Sequence, residues 1–379
     1  MECYLDNSAT TKPCSEAVDA AMDALTNRWG NPSSLHSVGD SANDLLTECR
    51  KTAAKHLKAS PDEVIFTGCG TDSNNLAIFG AVRALKRRGN RIITTDIEHP
   101  SVELPMQRLE EDGFEVVRLP VDKDGRISVT DLKNAVNKKT ILISIMYVNN
   151  EVGSIQPIKA ARAAVTKAAS PALIHCDCVQ AFGKLPVVPR QMGADLVSAS
   201  GHKIHGPKGV GLLYVKKGIR ILPYLLGGGQ ERGLRSGTEA MPNIAGFAAA
   251  MDAVGDLDQN YSHVKTLRDS LVEQLLAQNP ETSVVITSGE DALPYVLNFS
   301  APGIPSEVMR NFLSERGVYV STGSACSKGH RSRVLEEMKI PPERIDSAVR
   351  VSFSRFNTQE EVDYTAQCVS DAIATLRKH

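Results

Sequence analysis

Short β-branched runs alternate with helical patterns through the first two thirds of the chain. The runs EVIFT (63–67), RIITT (91–95), FEVVRL (114–119), TILISIM (140–146), ALIHCD (172–177), DLVSAS (195–200) and VGLLYV (210–215) have the length of strands. Several are apolar on both faces, as strands buried between two layers are. Longer stretches with helical spacing separate most of them, for example TDSNNLAIFGAVRALKRRG (71–89) and IKAARAAVTKAA (158–169). This alternation predicts a mainly parallel sheet covered by helices on both sides. From about Pro242 the pattern changes. One long Ala-rich helical segment runs through FAAAMDAVGDL and VKTLRDSLVEQLLAQ, and SVVIT, PYVLNFS, GVYVST and AVRVSF follow among helices. A second, smaller α+β domain is expected, because 379 residues exceed what one core usually supports. The sequence shows no internal repeat and no low-complexity tract.

Charge narrows the function classes. With 43 basic and 44 acidic side chains the net charge is −1, which gives no electrostatic footprint for a nucleic acid or a membrane surface. A small-molecule substrate is favoured. The start MECYLDNSATTKPCSEAV lacks a basic segment followed by an apolar one. No run approaches the roughly 18 apolar residues of a membrane span. The expectation is a cytoplasmic protein. Eight cysteines scattered over this length read as reduced thiols rather than a disulfide framework. Cys176 and Cys178 lack a second pair at metal-binding spacing, so no metal site is expected.

In an open α/β sheet ligands bind beyond the carboxyl ends of the strands, so polar residues at those ends are the candidates. TGCGTDSNN (67–75) takes a strand through a glycine-bearing turn into a helix, whose first N–H groups suit a phosphate, with the Thr71 hydroxyl to help. In ALIHCD, alternation places His175 and Asp177 on one side, with Asp177 at the strand tip and Gln180 three residues on. Asp177 either caps a helix or faces a cation such as a protonated pyridine nitrogen. SASGHKIHGPKG (198–209) follows another strand and brings Ser200, His202 and Lys203 to the same edge. There the Lys203 amine can form a Schiff base, with Ser200 and His202 placed to bond a phosphate. Lys208, between Pro207 and Gly209, reads as a turn lysine.

The motifs YLDNSATTKP, GTDSNN, IEHPSV, NNEVG, HCDCVQAFGK, SGHKIHGPKG, RSGT, STGSACS and VRVSFSRF occur in this order and span nearly the whole chain. Together they resemble the cysteine desulfurases of the NifS/IscS-like group, in the class-V aminotransferase family, which use pyridoxal 5'-phosphate (PLP). The resemblance implies a PLP fold-type-I architecture, a homodimer, and conversion of L-cysteine to L-alanine. The large PLP-binding domain, with a mainly parallel seven-stranded sheet, is then expected over residues 15–255. A small α+β domain would comprise 1–14 and 256–379. The resemblance also implies roles. Lys203 would hold PLP covalently, Asp177 would keep the ring nitrogen protonated, and Gln180 would bond the ring oxygen. Gly70, Thr71, Ser200 and His202 would hold the phosphate, joined by Thr238 from the other subunit. His99 would stack on the ring and move protons. Asn150 would contact cofactor and substrate, and Arg350 would grip the substrate carboxylate with its planar fork. Arg355 is the competitor for that last role and is read as structural.

Cys326, in STGSACSKGHRSR, lies in a stretch of small polar residues without apolar periodicity, as in an exposed loop. Alone it would pass as an incidental cysteine. The nearby Lys328, His330, Arg331 and Arg333 favour the thiolate, and the resemblance makes Cys326 the nucleophile that takes sulfur as a persulfide. Implied acceptors are an iron–sulfur scaffold protein or a sulfurtransferase for tRNA or cofactor thiolation. A selenocysteine lyase or a cysteine sulfinate desulfinase would share most of the pocket. A non-catalytic PLP-fold docking protein is the reading from another class, and the set Lys203, Asp177, His99, Cys326 and Arg350 argues against it. Two departures stand out. The phosphate turn reads Thr67-Gly68-Cys69-Gly70-Thr71-Asp72 where many members have Thr-Ser-Gly-Gly-Thr-Glu, and the segment after Cys326 is about two residues shorter than in the long-loop members.

Overall fold

The computed structural model describes residues 1–322 and 331–377. The chain opens with β1 (Cys3–Tyr4) and then builds one sheet from β2 (Val64–Thr67), β3 (Arg91–Thr95), β4 (Glu115–Leu119), β5 (Thr140–Met146), β6 (Leu173–Asp177), β7 (Leu196–Ser200) and β8 (Gly211–Val215). Each of the seven runs read as a strand is one, starting where expected or one residue later. The order across the sheet is β2-β8-β7-β6-β5-β3-β4. Neighbours from β7 through to β4 are parallel, and β8 lies antiparallel between β2 and β7.

Successive side chains of a strand point to opposite faces, and the cores divide accordingly. Ile65, Ile92, Leu142, Leu173, Leu196 and Leu213 pack with Leu76, Ile78, Val102 and Met106 of the helices Gly70–Leu85 and Pro100–Glu111. Their neighbours Phe66, Ile93, Ile143, Ile174, Val197 and Leu212 point the other way, into a core that includes Leu46, Met241 and Phe247. Both faces are therefore covered, which is why these runs carry no polar alternation.

Beyond the sheet, the helical segment after Pro242 is two helices rather than one. Met241–Asp252 stops at Gly255, which adopts φ +70°, and Asp256 then caps Leu257–Gln278 by accepting from the N–H groups of Asp258 and Gln259. A left-handed glycine followed by a capping aspartate ends one helix and starts the next. Two further helices, Ser15–Thr26 and Ser37–Leu57, pack against Met241–Asp252. The last strands are β9 (Val285–Ile286), β10 (Val296–Ser300), β11 (Val318–Tyr319) and β12 (Ala348–Ser352). Antiparallel β12-β10-β9 forms a small sheet, and β1 pairs in parallel with β11. Asp6 also bridges to Ser352. The first residues of the chain thus lie against its last strands. No helix among the described residues is long and apolar enough to cross a membrane.

Register sets the site. Met146, Asp177 and Ser198 align across β5, β6 and β7, while Thr67, Gly211 and Ser200 align across β2, β8 and β7. A side chain at Gly211 would meet the backbone of Cys69 at 2.7 Å, so only glycine lets the turn after β2 lie on the sheet.

Candidate active site

The aligned strand ends open into a cavity of about 270 Å³. Gly70, Thr71, His99, Asn150, Asp177, Gln180, Ser200, His202, Lys203 and Arg350 all line it, so ten of the residues singled out from sequence meet in one place. Lys208 is exposed and outside it, and so is Thr238, on the surface of its own chain. Arg355 lies elsewhere, with its guanidinium 4.5 Å from the centroid of the Phe356 ring. Cys326, Lys328 and His330 fall outside the described residues, as does the length of the segment that carries them.

Asp177 is held at the tip of β6 by two donors. The amide of Asn74 reaches Oδ2 at 2.7 Å, and the Val179 N–H reaches Oδ1 at 2.9 Å. Asn74 spends its other donor contact on the Ser101 hydroxyl at 2.9 Å. That hydroxyl and the Ser101 N–H both approach His99 Nδ1, at 2.8 and 3.1 Å. A backbone N–H can only donate, so Nδ1 is the acceptor and the proton of the neutral ring sits on Nε2. Burial lowers the His99 pKa, with Asp177 pulling it up and Lys203 pushing it down again. The imidazole is therefore neutral above its usual value of 6.5.

The turn before His99 is fastened from two sides. Glu98, fully buried, accepts from the Thr95 hydroxyl at 2.7 Å and the Met146 N–H at 3.0 Å. Arg333 donates to the carbonyls of Asp96 and Glu98 at 2.6 and 2.5 Å. Arg331 pairs with Asp346 at 2.7 Å. Arg331 and Arg333, both read from sequence as favouring the Cys326 thiolate, therefore have partners of their own.

Lys203 reaches the carbonyls of Ser8 and Ala9 with Nζ, at 2.5 and 2.7 Å. His202 beside it is a neutral ring, its pKa pushed down to about 4 by burial and then by lysine charge. Arg350, 2% exposed in the middle of β12, donates to Asp6 at 2.8 Å and to the Asn150 carbonyl at 3.0 Å. Asp72, one of the departures in the phosphate turn, accepts from the Gly68 N–H at 2.7 Å and from Arg235 at 3.0 Å, which ties RSGT to that turn.

Sequence reasoning misses Asn74, Asp6 and the Ser8–Ala9 carbonyls. Asn74 and Asp6 stand inside two of the motifs, GTDSNN and YLDNSATTKP. Their roles depend on which residue they touch, and for Ser8 and Ala9 the functional atoms are backbone.

A phosphate-bearing pyridine would fit these walls. Ser8 Oγ, Asn74 Oδ1, Ser200 Oγ and Arg350 Nε belong to side chains of the cavity wall, yet they are buried without a hydrogen-bond partner among the described residues. A buried polar group left so costs about 1–3 kcal/mol, which a polar ligand recovers. The helix Gly70–Leu85 starts beside Ser200 without a side-chain cap, so its first N–H groups are free to bind an anion. A Cβ at Gly70 would come within 2.8 Å of Val179, which keeps that approach narrow.

Comparison with known proteins decides the family. The model of the aminotransferase class-V family matches residues 3–365. The chain belongs to that family. It is similar to the cysteine desulfurase IscS of Methanosarcina thermophila, 40% identical over 99% of this chain and 92% of that one. A solved NifS-like protein superposes with a TM-score of 0.93 at 38% identity, covering 99% of this chain and all of the other. The structure described as SspA in complex with cysteine gives a TM-score of 0.82 at 30% identity, over 94% and 100% of the two chains. This class-V aminotransferase has the fold expected from its motifs, and enzymes of its kind depend on PLP.

Proposed function

We propose that this chain is a PLP-dependent cysteine desulfurase. The observation that carries the reading is the convergence of Lys203, Asp177, His99 and Arg350 on one cavity, in a chain 40% identical to a protein of that name. Bound there, PLP supplies a sink for the electron pair left when a substrate Cα–H bond breaks. Lys203 is the amine that anchors it. The Asp177 carboxylate, oriented by Asn74, would pair with the ring nitrogen and keep a proton there. Gln180 donates to the ring oxygen. Gly70, Thr71, Ser200 and His202 take the phosphate, and Thr238 of a second copy completes that site. Arg350 binds the substrate carboxylate, with Asn150 beside it.

His99 would move protons in the cavity through Nε2, the nitrogen left free by the Ser101 bonds to Nδ1. The Cys326 thiolate then attacks the substrate sulfur: an S–S bond forms, the Cβ–S bond breaks, and the electron pair goes to the carbon that becomes the methyl of alanine after protonation. The persulfide passes to an acceptor protein, an iron–sulfur scaffold or a thiolation sulfurtransferase. We extend the reading to a cytoplasmic homodimer with a large domain over 15–255 and a small one from 1–14 and 256–379. The pairing of β1 with β11 supports that division. Exposed Met22, Leu25, Trp29, Leu35 and Leu226 offer apolar surface for a second copy to cover.

The test is direct. The PLP-loaded protein incubated with L-cysteine and a thiol reductant should release alanine and sulfide in equal amounts. Absence of alanine overturns the assignment. His99→Gln should lower turnover by about 10², the usual contribution of a positioned acid or base. Because burial holds the ring neutral, its protonation limb should lie below pH 6.5, and the rate–pH profile of His99→Gln should lack that limb.

A further inference from the structure

The proposed reaction leaves the buried amine of Lys184 unused. Lys184 follows Gln180 by four residues, in the turn after β6, and is 6% exposed. Its Nζ donates to Gln180 Oε1 at 3.2 Å and sits 5.6 Å from the centroid of the Tyr295 ring. Among the described residues it has no ion pair. The charges that bear on it are those of Lys203 and Arg350, both cationic, and His202 and His205 in turn feel its charge. Lys184 also shares a narrow cleft with Lys203, His205, Tyr295 and Arg355. A buried ammonium without a carboxylate is costly, so this amine either sheds its proton or gains from an anion nearby.

Gln180 shows where that anion would lie. Its Nε2 faces the Ser8 carbonyl at 3.0 Å, which can only accept, and its Oε1 accepts from Lys184 Nζ. The amide can therefore stand one way round. The second hydrogen on Nε2 remains for the cavity, where Gln180 is part of the wall. The Ser8 carbonyl also receives Lys203 at 2.5 Å, so Lys184, Gln180, Ser8 and Lys203 form one connected chain.

We propose that Lys184 is a positioning residue for the cofactor's ring oxygen: it locks the Gln180 amide toward that oxygen and, in its protonated form, adds from behind positive charge that favours the ionised oxygen and opposes a proton on Lys203. This rests on the reading of Gln180 as the donor to that oxygen. Burial, then Lys203 and Arg350, bring the Lys184 pKa down to about 7 from 10.5. Over that interval the unfolded chain binds the extra proton, so Lys184 makes stability rise with pH between about 7 and 10.

The experiment compares wild type, Lys184→Met, Lys184→Gln and Gln180→Ala. The visible band of protein reconstituted with PLP is titrated against pH. In cofactor-free protein, the pH profile of Lys203 modification by an amine-reactive reagent is followed by peptide mapping. Both Lys184 variants should move both midpoints up, by about one pH unit as a nearby charge does. Lys184→Met should also lack the gain in denaturant stability between pH 7 and 10. Unmoved midpoints in both Lys184 variants overturn the proposal, even if PLP binds more weakly. A shift in Gln180→Ala without one in the Lys184 variants overturns it while leaving the Gln180 reading intact. No spectral change in Gln180→Ala removes that reading itself, and the proposal with it.

Discussion

Lys203→Ala should lose turnover of L-cysteine by more than about 10⁴, the scale on which removal of a covalent catalytic group is felt, while Lys208→Ala keeps it. The two lysines are five residues apart and chemically identical, so the contrast tests placement alone. Lys203 follows the end of β7, lines the cavity and is held by the Ser8 and Ala9 carbonyls. Lys208 projects to solvent from the turn that follows. Borohydride reduction of the PLP-loaded protein, followed by peptide mapping, should place the pyridoxyl group on Lys203. Finding it on Lys208 would refute the pocket assignment.

Cys326→Ser should separate the pocket from the sulfur-accepting step. The variant should bind PLP and L-cysteine as wild type does, because the cofactor and carboxylate contacts proposed for the cavity wall all come from other residues. It should carry no persulfide and release almost no alanine, since a serine hydroxyl is a poor nucleophile toward sulfur. Mass spectrometry of the protein after one turnover, together with alanine release, measures both outcomes. Release of alanine and sulfide at the wild-type rate would remove the persulfide route and favour a lyase or desulfinase.

Much of this site is legible in the sequence because strand ends are legible. A run such as TILISIM is apolar on both faces and stops abruptly, so the polar residues next in line are forced to the sheet edge where ligands bind. That logic reaches Asp177, Ser200 and Lys203 from the amino-acid order alone. It does not reach Lys184, whose Nζ lies 5.6 Å from the centroid of the Tyr295 ring, more than a hundred positions away. Nor does it find the partners of Arg331 and Arg333. Those partners, Asp346 and the carbonyls of Asp96 and Glu98, come from other segments of the chain or from backbone atoms, which spacing does not register. The split after Met241–Asp252 escapes it because alanine-rich spacing continues across a glycine and an aspartate that change only backbone conformation.

The seam between the first residues and the last strands has a consequence for biosynthesis. Cys3 is paired with Val318 and Asp6 with Ser352, and the carbonyls that receive Lys203 hang from that same segment. A chain emerging from the ribosome can assemble the seven-stranded sheet once Val215 is out, yet Arg350 and the strand that seats Ser8 and Ala9 arrive more than a hundred residues later. Contacts so distant in sequence close late. A chain that ends before β12 keeps the sheet and the residues proposed for the cofactor, yet lacks Arg350, the residue proposed for the substrate carboxylate, and the strand against which Ser8 and Ala9 are placed.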